Sequence, residues 1–379
     1  MMSHLSKKEL IEVIRPRYLK ATRKEKKQIL DEFIAATGYH RKYAIRVLKH
    51  RPKLKGLHKP GKQKVYEGAV VQALTTIWEI CGRICSKRLK PFIPEMIIVL
   101  ERHHELFLDE YIKTQLLKIS RATIDRCLKS ARFEHHKGLS TTKPGTLLKK
   151  AIPVRTFTEW SDERPGFEEI DLVAHCGETT EGQYLNTLTC TDIATGWTEC
   201  LGLPNKSQVA VSQAIQILRQ RLPFPLLGLD SDNGSEFIND TLYRYCLDEQ
   251  ITFTRSRPYR KNDQAHVEQK NWSVVRHTIG YDRLETPEEL DLLKSIYDDL
   301  RLYINFFQPV LKLVGKEQVD GKTIKKYDLA ATPFRRVLAS DLVSLEVKAS
   351  LTYLYLHLNP VALRNSIDQK VARLWKIVR

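Results

Sequence analysis

Two hydrophobic periods divide the chain. Up to about residue 136, apolar residues recur every three to four positions, as in amphipathic helices, whereas from Phe167 onward short apolar or alternating runs mark strands. Ser6 to Tyr18 carries Leu10, Ile11, Val13 and Ile14 at helical spacing, and Pro16 is expected to break the pattern. A second helix is expected from about Arg23 to Ala36, then a tight turn at Thr37-Gly38-Tyr39. A third runs from His40 to His50 with Ala44, Ile45 and Leu48 inward. Another helical region covers about Tyr66 to Phe133. It ends with Gln115 to Ile119, then Ser120, whose hydroxyl can cap the helix that Arg121 begins.

From Phe167 the pattern predicts strands at Phe167 to His175, Gln183 to Thr191 and Trp197 to Leu203, with a turn at Asp192 to Gly196. A helix (Ser207 to Arg221), a strand from Leu226 into Asp230, a helix (Ser235 to Glu249) and a strand (Ile251 to Thr254) follow. A helix carrying Glu268 comes next. Hairpin-joined strands followed by alternating helices and strands predict an α/β fold, a mixed sheet with helices on both faces. Beyond Pro287 a long amphipathic helix should reach about Phe307. The tail has a hairpin signal at Asp320-Gly321 and turns helical from Leu342 and from Val361.

Length and charge add an organisation to this pattern. At 379 residues the chain exceeds what one core usually covers, and 42% hydrophobic with 28% charged residues is a globular composition. The net charge of +17 is uneven: residues 1–150 hold 34 Lys+Arg against 14 Asp+Glu, residues 151–379 hold 28 against 31. The expected division is a helix-turn-helix module at 1–57, a second helical helix-turn-helix module at 62–136, a basic linker at 137–166, a core at 167–308 and a mostly helical region at 309–379. Helix, Gly-containing turn and basic helix suit a major groove. Arg41, Lys42 and Arg46 in the first module, and Arg121 and Arg126 in the second, are the expected DNA contacts.

Seven scattered cysteines read as reduced thiols of a cytosolic protein. No run approaches the ~18 apolar residues of a membrane span. Cys81 and Cys85 with His103 and His104 do not read as a zinc site, because the cysteines, four apart, are expected on one apolar helix face.

The candidate chemistry lies in three acids. Asp171 falls inside the strand FEEIDLVAH, and Asp232 sits in LDSDNGSEF just before the turn dipeptide Asn233-Gly234. Glu268 follows 35 intervening residues later in NDQAHVEQKN. Each acid alone would read as a solvated surface charge; in combination they bring three carboxylates from three elements to one sheet edge. Asp230 is the competing acid. It lies further into the strand, so it is expected to be a supporting or turn-stabilising group, and Asp192 in TDIATGW reads as a turn residue. His175 shares a strand face with Asp171 and reads as structural. Arg257, Arg260 and Lys261, with Tyr259 among them, suit a DNA strand, and Gln264, Glu268 and Asn271 share a helix face, with Lys270 a weaker candidate beside them.

Asp171, Asp232 and Glu268, with their spacing, resemble the acid triad of the DDE transposases of bacterial insertion sequences and of retroviral-type integrases. The likeness spans roughly residues 167–308. It implies a ribonuclease-H-like core in which the three acids are both catalytic and metal ligands, holding two Mg²⁺ or Mn²⁺. It also implies recognition of terminal inverted repeats, cleavage of DNA phosphodiesters, joining of 3′-OH ends to target DNA, and a homo-oligomer assembled on double-stranded DNA in the bacterial nucleoid. A ribonuclease-H-like endonuclease without strand transfer, or a domesticated DNA-binding protein with an inactive core, are the alternatives.

Overall fold

The computed structural model describes residues 2, 4–50, 66–133, 164–256, 264–319 and 322–378. The chain divides into two compact units, residues 1–65 and 66–379.

The amino-terminal unit is three helices, α1 (His4–Lys20), α2 (Arg23–Thr37) and α3 (Arg41–Lys49). Pro16 does not end α1, contrary to the sequence pattern, although a proline inside a helix costs about 3 kcal/mol. The turn beyond it is held from outside the helix: Tyr18 is buried among Ile29, Leu30, Phe33, Ala44 and Leu48, and the Arg15 guanidinium donates to Val47 O. The α2–α3 corner follows the expected grammar. Glu25 accepts from Thr22 N at 2.8 Å to start α2, and Gly38 at φ 68° supplies the left-handed residue that ends it.

The second unit begins with α4 (Ala69–Ile80), α5 (Ser86–Arg102), α6 (Glu110–Lys118), α7 (Arg121–Cys127) and α8 (Lys129–Phe133). Ser120 caps α7 as expected, its hydroxyl accepting from Thr123 N at 3.2 Å. Cys81 and Cys85 are not on a helix face: Cys81 ends α4, buried, and Cys85 precedes α5, exposed. The intervening Gly82 and Arg83 both take positive φ, which breaks the helix the apolar pattern had joined.

The sheet follows: β1 (Phe167–Ala174), β2 (Asn186–Asp192), β3 (Thr198–Leu203), α9 (Gln208–Arg221), β4 (Gly228–Ser231), α10 (Asp240–Asp248) and β5 (Thr252–Arg255). Its order is β3-β2-β1-β4-β5. β1, β2 and β3 are antiparallel neighbours, whereas β4 and β5 run parallel to β1. β2, β3 and β4 are buried along their whole length, with Thr, Asp and Glu side chains among the buried positions. α10 starts five residues later than expected, because Asn239 caps it by accepting from Leu242 N at 2.9 Å.

Beyond β5 come α11 (Ala265–Lys270), a π-helical stretch (Asn271–Arg276), α12 (His277–Ile279) and α13 (Pro287–Phe307). The hairpin β6 (Leu313–Val319) and β7 (Lys322–Tyr327), then α14 (Pro333–Ala339), α15 (Leu345–His357) and α16 (Pro360–Val378), complete the chain. Two apolar clusters flank the sheet. One joins Ile170, Leu188, Leu201 and Leu229 to α9 and α10. The other joins Val173 and Cys200 to α13 and takes in α4–α7 and α14–α16. Residues 66–133 and the tail therefore share one core with the sheet and do not stand apart from it as the expected boundaries implied. The ties are polar as well: Tyr303 donates to Ile80 O, Gln308 to Cys81 O, and Tyr355 to Glu95. Among the described residues no helix is long and apolar enough to cross a membrane.

Candidate active site

β1 and β4 pair in parallel with Ile170 opposite Ser231, so Asp171 and Asp232 are the next residues along adjacent strands. Strands in such a pair lie about 4.8 Å apart, which brings the two acids side by side. Alternation along β1 sends Ile170 to the α9/α10 face, and with it Glu168 and Leu172. Glu169, Asp171 and Val173 point to the other face. β4 stops at Ser231 because the chain turns over Asn233-Gly234. Asp232 Oδ1 accepts from Gly234 N at 2.8 Å, and Asn233 bridges to β5 by donating to Ser256 O and accepting from Arg255. A Cβ on Gly234 would lie 2.7 Å from the Glu236 carboxyl carbon and 2.9 Å from Asp232 Oδ1, so a larger residue would displace these carboxylates.

The third acid arrives on α11, which β1 itself anchors. Glu169 Oε2 accepts from His266 N at 2.9 Å and Val267 N at 3.0 Å, a carboxylate meeting the free amides of a helix start. Gln264 Nε2 donates to Asp230 O at 3.3 Å, and Asn271 Nδ2 donates to Asp171 Oδ2 at 2.7 Å. Of the expected helix face, Gln264 is therefore buried against β4, Asn271 touches Asp171, and Glu268 is exposed. The shift into π-helix at Asn271 is a local widening common at functional sites.

Electrostatics show that the acids sense one another. Burial, then the charge of Asp232, with smaller contributions from Glu268 and Glu236, pushes Asp171 up to about 7, against the opposing hydrogen bond from Leu172 N. Asp232 is raised as well, first by burial and also by Glu236, with Gly234 N opposing. Among the described residues no three His, Cys, Asp or Glu side chains stand close enough together to enclose an ion.

The remaining expectations sort as follows. Asp230 is fully buried and accepts from Thr254 Oγ1 at 2.6 Å. Asp192 accepts from Thr195 N and Oγ1 and from Gly166 N, the turn role expected of it. His175 is buried with Nε2 against Thr187 Oγ1 at 2.8 Å, and burial pulls it down to about 3. Lys270 does not share the face of Glu268. It is buried, its Nζ 3.4 Å from Gly196 O, and burial lowers it to about 7. Arg257, Arg260 and Lys261 lie outside the described residues.

In the amino-terminal unit Arg41, Lys42 and Arg46 are exposed on α3, but Arg41 pairs with Asp31 and Arg46 lies over the Tyr43 ring. Arg121 and Arg126 are exposed on α7. Sequence reasoning missed Glu169 and Glu236, though Glu236 lies inside the quoted LDSDNGSEF. It also missed a basic cleft of the first unit, where Arg23, Lys24, Lys26, Lys27 and Arg41 surround Tyr18 and Leu30.

These features define a mixed α/β protein with two neighbouring carboxylates, Asp171 within β1 and Asp232 just past the end of the parallel β4. No family model matches the chain. It is 43% identical over 338 residues to the uncharacterized protein y4rM of Sinorhizobium fredii, across 88% of this chain and 96% of that one, and it belongs to the same family.

Proposed function

We propose that this protein is a DDE-type transposase with a ribonuclease-H-like core. The observation that carries the reading is the side-by-side placement of Asp171, inside β1, and Asp232, just past the end of the parallel β4, with Glu268 close enough to Asp171 to raise its pKa. The strand order, three antiparallel strands followed by two parallel to β1, supports the same fold. The donor set is carboxylate oxygen throughout, which fits a hard divalent cation, and the repulsion that raises Asp171 is what such a cation would relieve. Closing the three acids on one point asks for rotation of the Glu268 side chain, which its exposure permits.

Two Mg²⁺ or Mn²⁺, when bound, would stabilise the attacking and leaving oxygens of an in-line phosphoryl displacement. Asp171, Asp232 and Glu268 would hold them. Asn271 fixes the orientation of Asp171 through its 2.7 Å hydrogen bond, Glu169 fixes the start of the helix that carries Glu268, and Gly234 leaves space beside Asp232. The basic cleft and α3 of the amino-terminal unit, and α7, would bind duplex DNA through its phosphates. The same unit would recognise the terminal inverted repeats, and the freed 3′-OH ends would be joined to target DNA.

The test is cleavage and joining of a DNA end bearing the inverted repeat. Asp232→Asn and Glu268→Gln are each expected to lower the divalent-cation-dependent rate by about 10³-fold or more, since the metal's contribution is worth several kcal/mol. Repeat binding and thermal stability should be retained. Wild-type turnover in excess chelator, or full activity of either variant, would overturn the reading.

A further inference from the structure

We infer that a pocket on the opposite side of α11 from Asp171, where Lys270, Lys312 and Arg336 converge on the β2–β3 turn, binds a phosphate group. Its walls are the turn Thr191 and Ile193–Gly196, then His266, Gln269 and Lys270 of α11, then Val310–Lys312 and Arg336. No carboxylate lines it among the described residues, whereas four of its side chains are basic or imidazole. Lys270 is the second observation. It is 8% exposed, and among the described residues its ammonium makes no ion pair and a single long contact, 3.4 Å to Gly196 O.

A buried ammonium without an anion costs several kcal/mol, and natural proteins keep one where something pays that cost. The surroundings do not offset it: the charge of Arg88 opposes the ammonium and the Cys200 thiol is the one group that favours it. Lys312 Nζ sits 3.4 Å from Ala194 O, so two lysines reach into the same turn through its carbonyls. Arg336 is partly held by Asp328 and Val310 O, but its buried Nε–H has no partner. Of the acids nearby, Asp192 accepts from Gly166 N and Thr195 and also feels the Lys312 charge, and Asp328 accepts from Lys312 N and pairs with Arg336, which leaves Lys270 without a carboxylate. What the site offers among the described residues is a buried ammonium, Lys270, without an anion and a buried Arg336 Nε–H without an acceptor, with the Lys312 ammonium beside them, which is the chemistry of a tetrahedral oxyanion.

The source of the phosphate is either a nucleic-acid backbone or a free anion. The binding itself can be measured without DNA or activity, so it stands or falls separately from the function proposed above. The full chain is melted in chelator across a series of inorganic phosphate concentrations, against chloride at matched ionic strength. Wild type is expected to gain about 2–4 °C saturably. General salt stabilisation is common to every variant, so the difference between variants is the readout. Lys312→Gln should lose most of the saturable gain. Lys270→Met should lose it too and, without phosphate, melt no lower than wild type, because a methyl thioether suits the buried position better than an uncompensated charge.

A phosphate response equal to chloride, or one preserved in Lys312→Gln and in Lys270→Met, would overturn the pocket. Displacement of bound phosphate by a short DNA duplex assigns it to the nucleic-acid backbone, and failure to displace it assigns it to a free anion. A saturable phosphate response in a protein that leaves DNA uncut would remove the transposase reading and keep the pocket. Cleavage without the response would do the reverse.

Discussion

Two groups of acids on the same sheet are treated in opposite ways by the protein around them. At the β2–β3 end, Glu199 is fully buried yet meets the Arg301 guanidinium at 2.6 and 2.7 Å and the indole of Trp197 at 2.9 Å. Asp192 is likewise buried and takes three hydrogen bonds from Thr195 and Gly166. At the β1–β4 end, Asp171 has one side-chain donor, Asn271, and one amide, while Asp232, Glu268 and Glu236 all push against its charge. The first group is neutralised by the chain's own donors and so acts as structure. The second is left with its repulsion only partly offset, which structure alone does not need and cation binding does. Glu168 is a third case. Burial and then its acidic neighbours, Asp192 first, push it well above the usual carboxylate value, against the opposing hydrogen bond from Cys190, whose Sγ lies 3.2 Å from Oε2.

The largest expected effect breaks the comparison from the structural side. Arg301→Ala leaves Glu199 buried with only its indole donor and should cost about 3–5 kcal/mol. Asp171→Asn, measured beside it at pH 8 in chelator, should be as stable as wild type or more so. The sign follows from the direction of the shift. A carboxyl raised from 3.8 to about 7 in the fold contributes stability fully below 3.8 and loses it as pH rises through 7, so at pH 8 the charge is a burden that Asn removes. Denaturant unfolding of both variants checks this. A destabilised Asp171→Asn beside an unaffected Arg301→Ala would invert the two roles.

The two groups were not equally legible. Asp232 could be placed because Asn233-Gly234 announces the end of its strand, and Asp171 because its neighbours alternate. The spacing to Glu268 rests on chain length alone and needed no tertiary information. Lys270, a weaker DNA-contact candidate beside the Glu268 face, is buried instead, because helical periodicity gives an angle about an axis, not which side of the helix the sheet will cover. The π-helical stretch from Asn271 then alters the period itself. Pro16 inside α1 failed for a related reason: the packing of Tyr18 against α2 and α3 outweighs a local rule. The core that residues 66–133, the sheet and the tail share was not legible because such packing is long-range: α13 packs against α4 and α16, which lie far from it along the chain, while most of the expected linker at 137–166 lies outside the described residues.

A smaller effect is confined to a pH window. His175 lies in a buried chain with Thr187 Oγ1 and Tyr297 Oη, and burial, with Arg276 nearby, holds it neutral down to about 3. Its folded value is depressed from 6.5, so the stability it confers is present above 6.5 and is lost as pH falls from there towards 3, when the unfolded chain takes the proton. His175→Gln keeps a donor for Thr187 and removes the titration. Raised acids such as Asp171 and Asp192 act with the opposite sign over part of this range, so the difference between wild type and variant is the quantity to follow. It should shift against wild type by up to a few kcal/mol between pH 6.5 and 4, and a constant difference would show that His175 is solvated.

The finest distinction lies two residues apart, between Asp230 and Asp232. Asp230 pairs across the sheet with Thr254 on β5, whose hydroxyl donates to it at 2.6 Å in a position only 7% exposed. Its backbone carbonyl accepts from Gln264, so its side chain and main chain both serve to hold neighbouring elements. Thr254→Val removes one donor and preserves shape and strand propensity, so the change falls on the hydrogen bond alone. The expected cost is about 1–3 kcal/mol, in the range for a hydrogen bond to a charged or buried acceptor. If Asp230 belongs with the structural acids, cleavage per folded molecule is unchanged at a temperature where both proteins are fully folded. Loss of cleavage in Thr254→Val with no loss of stability would move Asp230 into the site and require that Asp232, for all its place at the strand end, be the supporting acid.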